Sequence, residues 1–225
     1  MKFNEILANL RKKVYQPIYF LMGDETYFID EICDYIANHV LDESEKEFNQ
    51  TVLYGKETDV ATIISEAKRF PLMGEHSVVI VKEAQHIRKI EDLEVYLKQP
   101  QPSTILVICY KYKTLDKRKK FTKELAKKAV LFESKKLYDN QIPDWIHNHL
   151  GKHNYTIHPK AAFLLSEYLG TDLGKITNEL DKLMLIIEKS EEITSEIIER
   201  NIGISKDFNN FELNNALAKK DILKW

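Results

Sequence analysis

Apolar and polar positions along this chain predict strands and helices in turn up to about residue 139. Short apolar runs of strand length predict strands, and apolar residues at helical spacing predict the helices between them. The predicted strands are 17–22, 51–54, 77–81, 104–109 and 129–133, and helices are predicted near the N-terminus, up to about residue 40 and over 60–68, 90–97 and 116–128. This alternation predicts an α/β domain, residues 1–139, with a mostly parallel sheet covered by helices on both faces.

From Asp139 onward the pattern is helical. Pro143 and Pro159 stand where the first turn of a helix would begin. A small all-α lid domain is therefore predicted over residues 140–207, with a helix whose apolar stripe consists of Leu173, Ile176, Leu180, Leu183, Met184 and Ile187. A further helix is predicted from Phe208 to the last residue, and we expect 208–225 to be the start of a truncated third domain.

The turn after the first predicted strand has the place of a phosphate-binding loop but lacks its residues. Such a loop needs a glycine-rich bend, a lysine for the phosphates and a Ser/Thr for magnesium. Here the turn reads Gly23-Asp24-Glu25-Thr26, without lysine. Asp24 and Glu25 place two carboxylates at a helix N-terminus, where an anion would otherwise bind. An ordinary helix cap in an unrelated α/β domain explains this segment equally well.

Two further positions lack the chemistry of a nucleotide site. An α/β domain followed by a helical lid is the layout of AAA+ proteins, in which an aspartate after the third predicted strand binds magnesium. Here Lys82 follows that strand, and a cation would repel magnesium. Gly174 stands in the lid where an arginine would contact the phosphates. We therefore interpret Gly23, Asp24, Glu25, Thr26, Lys82 and Gly174 as a degenerate nucleotide site that does not bind nucleotide.

Composition is that of a folded globular protein of one large or two ordinary domains. Of the 225 residues 44% are hydrophobic and 30% charged, and the formal charge of −2 lacks the strong basic signature of an autonomous DNA-binding domain. No apolar run reaches membrane-spanning length and the N-terminus does not resemble a signal peptide, so we expect a cytoplasmic protein. Cys33 and Cys109 are predicted to be small core residues.

Basic residues concentrate in one stretch. Its centre, Lys117, Arg118, Lys119 and Lys120, is named the basic segment below. These side chains are candidates for contact with DNA phosphates, and a solvated helix face is the alternative.

Four histidines lie close together in sequence, at positions 147, 149, 153 and 158. Positions two apart on a helix point to different faces, and no cysteine or well-spaced glutamate completes a tetrahedral set. We predict no metal, no cofactor and no catalytic residue.

Several stretches, in the same order along the whole chain, carry a family resemblance. They are Tyr19–Ile29, Arg69–Gly74 leading into 78–81, Asp116–Lys120, Gly170–Leu173 followed by Asn178–Leu183, Ile193–Thr194 and Asn210–Leu213. As an ordered set they resemble the delta subunit of the bacterial DNA polymerase III clamp loader. The chain departs from that family in length, because only the beginning of a C-terminal collar domain, 209–225, matches.

The resemblance implies an AAA+-like subunit of the DNA polymerase III holoenzyme, a DNA-directed DNA polymerase, with no catalysis of its own. The implied partners are the ring-shaped sliding clamp (beta subunit), whose interface such a subunit holds open, the loader's ATPase and delta-prime subunits, and DNA indirectly, with no membrane. An active ATPase or kinase with an atypical phosphate loop is the alternative.

The resemblance also implies where the clamp binds. In the family a hydrophobic tip after the helix predicted at 60–68 inserts into a pocket on the clamp, and here the tip reads Phe70-Pro71-Leu72-Met73. Pro71 breaks the helix and Gly74 ends the tip, so that Leu72 and Met73 are offered on a loop. Packing of these two side chains beneath the sheet is the alternative.

Overall fold

The computed structural model describes residues 1–202. The chain divides into two compact units, Met1–Lys136 and the part from Leu137 onward. That residues 1–139 and 140–207 fold as separate domains stays a prediction, and the helix and third domain predicted from Phe208 lie outside the described residues. Within residues 1–202, no helix combines the length and the apolar character needed to cross a membrane.

The first unit is a parallel α/β sheet, as predicted. The strand order is β2-β3-β4-β1-β5, and every neighbouring pair is parallel. Its elements are α1 Phe3–Arg11, β1 Ile18–Gly23, α2 Thr26–His39, α3 Glu43–Asn49, β2 Gln50–Tyr54, α4 Val60–Ala67, β3 Ser77–Lys82, α5 Glu94–Lys98, β4 Thr104–Lys111, α6 Lys120–Lys128 and β5 Val130–Ser134.

Two apolar cores lie on opposite faces of this sheet because successive strand residues point to opposite sides. Phe20 of β1 packs in the core shared with α4, α5 and α6, whereas its neighbours Tyr19 and Leu21 pack in the core shared with α1 and α2. Every residue of β1 is buried. Burial on both faces explains why the central strands appear in the sequence as continuous apolar runs.

Three helical segments of this unit differ from the prediction. Helix α3 was not predicted; its first turn is closed by the backbone N–H of Asp42, which donates to Glu45 Oε2 at 3.0 Å. Helix α6 begins at Lys120 rather than Asp116, because the Asp116 carboxylate accepts from the backbone N–H of Arg118 at 2.9 Å and closes a local turn instead. The helix predicted at 90–97 is a 3₁₀ turn, Ile90–Leu93, followed by the short α5.

The second unit is mostly helical over the described residues. Pro143 lies in the first turn of α7 and Pro159 opens α8, as predicted. A small parallel pair of strands, β6 and β7, was not predicted. The elements are α7 Ile142–Lys152, β6 Thr156–Ile157, α8 Pro159–Leu169, α9 Leu173–Ile186, β7 Glu192–Ile193 and α10 Ser195–Ile202.

Candidate functional site

The tip, residues 70–73, follows α4 and turns its apolar side chains to solvent. Phe70 is 77% exposed, Leu72 69% and Met73 51%. None of these three side chains belongs to either core of the first unit. Three large, exposed apolar side chains within four consecutive residues are of the kind that marks interaction sites on soluble proteins.

A hydrogen bond from α5 fixes the end of α4. The Tyr96 hydroxyl donates to the carbonyl oxygen of Ala67, the last residue of α4, at 3.2 Å. Beyond the tip, Gly74 has φ +69°, in the left-handed region that favours glycine, and a Cβ built there would lie 1.9 Å from Glu45 Oε1. The end of the helix before the tip is thus hydrogen-bonded to α5, and the residue after the tip lies close against the first turn of α3.

Asn49, the last residue of α3, holds the middle of the tip. Its side chain is buried, with 5% of the residue exposed. The backbone N–H of Leu72 donates to Asn49 Oδ1 at 2.8 Å, and Asn49 Nδ2 donates to the carbonyl oxygen of Met73. Sequence reasoning missed this residue, because a single asparagine more than twenty positions from its partners leaves no local signal.

The turn after β1 is closed on itself. Glu25 precedes α2, and its carboxylate accepts from the backbone N–H of Tyr27 at 3.1 Å. Ser134 of β5 accepts from the backbone N–H of Asp24 at 3.1 Å and donates its hydroxyl to the Glu25 carbonyl oxygen at 2.7 Å. A Cβ at Gly23 would lie 1.9 Å from the Ser134 carbonyl oxygen. A buried carboxylate of the chain itself thus occupies the N-terminus of α2, where a phosphate would bind in a P-loop protein.

Two lysines lie at the carboxyl edge of the sheet, where open α/β sheets bind ligands. Lys82 ends β3 and Lys111 ends β4. Lys111 Nζ lies 2.6 Å from Asp30 Oδ1 of α2. Burial, the largest single effect, lowers the pKa of Lys111, but the hydrogen bond to Asp30 and the charge of Asp30, together with smaller effects of Cys109 and Tyr112, leave that pKa above its ordinary value.

The six residues of the predicted degenerate nucleotide site are divided between the two units. Gly23, Asp24, Glu25 and Thr26 share the carboxyl edge of the sheet with Lys82. Gly174 lies in the first turn of α9, in the second unit, and brings no charge there. Among the described residues, no three His, Cys, Asp or Glu side chains are grouped so that they could hold a metal ion.

Each side chain of the basic segment has an acidic partner. Lys117 pairs with Glu133 at 2.5 Å and Arg118 with Asp116 at 2.9 Å. Lys119 and Lys120 pair with Glu91 and Glu94, each at 2.7 Å. The basic side chains remain 58–91% exposed, and exposed ion pairs of this kind contribute little to stability because water and salt screen them. The segment is thus accessible to a phosphate, with its charge largely balanced locally.

The two cysteines and one of the histidines considered in the sequence analysis are buried side chains. Cys33 and Cys109 are both buried free thiols, as predicted. His149 is buried with its ring 5.0 Å from that of Trp145 and 5.1 Å from that of His153. Burial, followed by the neighbouring His153, lowers the pKa of His149 from its ordinary value of 6.5. The lowered pKa favours the neutral form of His149 at pH 7.

Comparisons with known proteins identify relatives. A family model described as "DNA polymerase III, delta subunit" matches residues 19–135. A curated relative from Bacillus subtilis, DNA polymerase III subunit delta, is 34% identical over 226 aligned residues, covering 96% of this chain and 65% of the relative. The solved structure of the Bacillus subtilis DNA clamp loader delta protein (YqeN) superposes with a TM-score of 0.74 at 31% identity, covering 98% of this chain and 68% of that one. This chain thus spans about two thirds of the length of both.

Proposed function

The chain belongs to the family of DNA polymerase III delta subunits, and from that premise we propose that it is a clamp-loader subunit that binds and opens the ring-shaped sliding clamp in the cytoplasm. In this role it joins the loader's ATPase and delta-prime subunits and contributes no catalysis of its own. Its contact with the clamp is the tip formed by Phe70, Pro71, Leu72 and Met73.

The main support for this proposal is that the tip exposes large apolar side chains while its backbone is hydrogen-bonded to the rest of the first unit. Leu72 and Met73 are 69% and 51% exposed although both are large apolar residues. Their backbone is fixed by hydrogen bonds to a buried side chain, Asn49. Large apolar anchors that are already ordered before binding lose little conformational entropy on association, and such residues are typical of interface hot spots.

The turn after β1 supports the absence of ATP hydrolysis. Glu25 already supplies the negative charge at the N-terminus of α2, and the sequence of this turn has no lysine. Lys82 replaces the carboxylate that would hold magnesium at the end of β3. A nucleotide here would have to displace a buried carboxylate, and its metal would meet Lys82 where a carboxylate would otherwise stand, which makes binding unfavourable.

Contact between DNA and the basic segment stays a prediction within this proposal. The four side chains are exposed, but each would have to exchange an acidic partner for a phosphate. Such contacts add affinity in a salt-dependent and sequence-independent way. DNA therefore acts as a partner of the whole loader, with this segment as an auxiliary contact.

A pull-down with the sliding clamp of the same organism tests the proposal. We expect stoichiometric capture of the 225-residue chain without added nucleotide. An equilibrium titration with ATP, carried out in parallel, should show no saturable binding at about millimolar concentrations, in line with the missing phosphate-binding residues. Saturable ATP binding together with failure to capture the clamp would instead support a nucleotide-dependent enzyme.

A further inference from the structure

We propose that Asn49 is a positioning residue that orders the tip before the clamp binds; this inference rests on the proposed function. Asn49 lies at the carboxyl end of α3 and is nine-tenths or more buried. Its amide oxygen accepts from the N–H of Leu72 and its amide nitrogen donates to the carbonyl of Met73. One side chain therefore holds the backbone on both sides of the peptide bond that joins the two proposed anchors.

The chemistry of this contact requires an amide. A side chain at position 49 must accept one hydrogen bond and donate another from two different atoms, and asparagine does both. An ionised aspartate of the same shape could accept from Leu72 but could not donate to Met73. An alanine could do neither, and the Leu72 N–H and the Met73 carbonyl would then find water as their partner.

The surroundings of Asn49 hold it in turn. Helix α3 is closed at its start by Glu45, and the same carboxylate group lies against Gly74 just beyond the tip. Strand β2 begins directly after Asn49 and pairs with β3. The backbone of Asn49 is therefore continuous with the edge strand of the sheet. Helix α3 and the start of β2 thus fix the position of Asn49. Through its two hydrogen bonds, Asn49 in turn fixes the backbone of Leu72 and Met73.

Ordering the tip in advance raises affinity for the clamp, because the entropy of fixing a loop is then lost on folding instead of on binding. We expect Asn49→Ala to weaken clamp binding by about tenfold, the effect of losing roughly one net hydrogen bond and part of the loop order. Asn49→Asp should also weaken clamp binding, because it keeps the acceptor for the Leu72 N–H but places a buried carboxylate oxygen against the Met73 carbonyl oxygen.

The experiment uses the 225-residue chain, the sliding clamp of the same organism and four variants: Asn49→Ala, Asn49→Asp, the tip double variant Leu72→Ala with Met73→Ala, and Ile80→Val as a control for stability. Ile80 is buried in β3, in the core that faces α1 and α2, so its shortening lowers stability without touching the tip. Clamp affinity is measured by calorimetry, melting temperature by circular dichroism and exchange of the Leu72 amide proton by NMR.

Three results are expected together. Asn49→Ala accelerates exchange of the Leu72 amide by about tenfold or more while amides of β1 and β4 stay protected. Asn49→Asp keeps the Leu72 amide protected. Ile80→Val leaves clamp affinity unchanged, although its melting temperature is lowered about as much as that of Asn49→Ala.

The inference and the proposed function fail in different ways. If the tip double variant loses affinity but Asn49→Ala binds as the unchanged chain does, Asn49 has no positioning role and the proposed function stands. If Asn49→Ala loses affinity only as much as Ile80→Val at equal melting temperature, the effect is one of stability and the inference is wrong. If the tip double variant keeps full affinity, the proposed clamp site itself is wrong.

Discussion

Removing the two proposed anchor side chains should weaken clamp binding far more than it weakens the fold. Leu72 is 69% exposed and Met73 51% exposed. Full burial of a Leu or Met side chain is worth about 1.5–3 kcal/mol, so covering the exposed parts of both contributes about 2–3.5 kcal/mol of binding free energy. At about 1.4 kcal/mol per tenfold, Leu72→Ala with Met73→Ala should raise the dissociation constant on the order of 100-fold.

The chain offers a matched control for this measurement. Leu185 and Ile186 of α9 are 86% and 59% exposed, and they also follow each other in sequence. Leu185→Ala with Ile186→Ala removes a similar exposed apolar area outside the tip. Affinity for the clamp by calorimetry and melting temperature by circular dichroism are measured on the same preparation of each double variant.

The expected result separates binding from folding. The tip variant should lose affinity with a melting temperature close to that of the unchanged chain, because neither side chain belongs to a core. The control variant should keep its affinity. Unchanged affinity of the tip variant, or a loss that appears only with a melting temperature lowered by many degrees, would refute the assignment of Leu72 and Met73 as anchors.

Three further predictions concern the rest of the molecule. Limited trypsin digestion should cut at the exposed lysines 135–136, where the first compact unit ends, and leave a stable N-terminal fragment; only global degradation would argue against two domains. Because the folded-state pKa of His149 is depressed, mainly by burial, its contribution to stability is present above about pH 6.5 and is lost as the pH falls through the folded pKa. His149→Gln should therefore flatten the decline of melting temperature between about pH 7 and pH 5; a parallel decline would contradict this. Alanine at all four positions of the basic segment should leave clamp affinity unchanged and reduce salt-dependent DNA association of the assembled loader; unaltered DNA association would make the segment a solvated surface.

The strands could be predicted from sequence because the sheet is parallel and covered on both faces. Strands β1, β3 and β4 are buried along nearly their whole length, so each is a continuous apolar run. Helix α3 could not be found in the same way, since Glu43–Asn49 carries only one large apolar residue, Phe48. Its available signal was the capping pair Asp42 and Glu45. Strands β6 and β7 have two residues each, too few for any periodicity.

The candidate site was accessible to sequence reasoning only in part. That Leu72 and Met73 lie exposed on a loop agrees with the proline and glycine that enclose them, whereas their proposed role as the clamp contact came from the family resemblance. Asn49 could not be found from the sequence, since its contacts with Leu72 and Met73 join residues 23 and 24 positions apart and depend on the pairing of β2 with β3. The internal closure of the turn after β1 likewise depends on Ser134, 109 positions from Glu25.

Opening of the sliding clamp without nucleotide tests the central claim most directly. A clamp carrying a fluorescent donor and acceptor across one subunit interface is titrated with the 225-residue chain in the absence of ATP. The proposed function predicts a saturable loss of energy transfer for the unchanged chain, and only a much weaker response for Leu72→Ala with Met73→Ala. Energy transfer that stays constant at saturating concentrations of the chain, or that changes only when ATP is added, would contradict it.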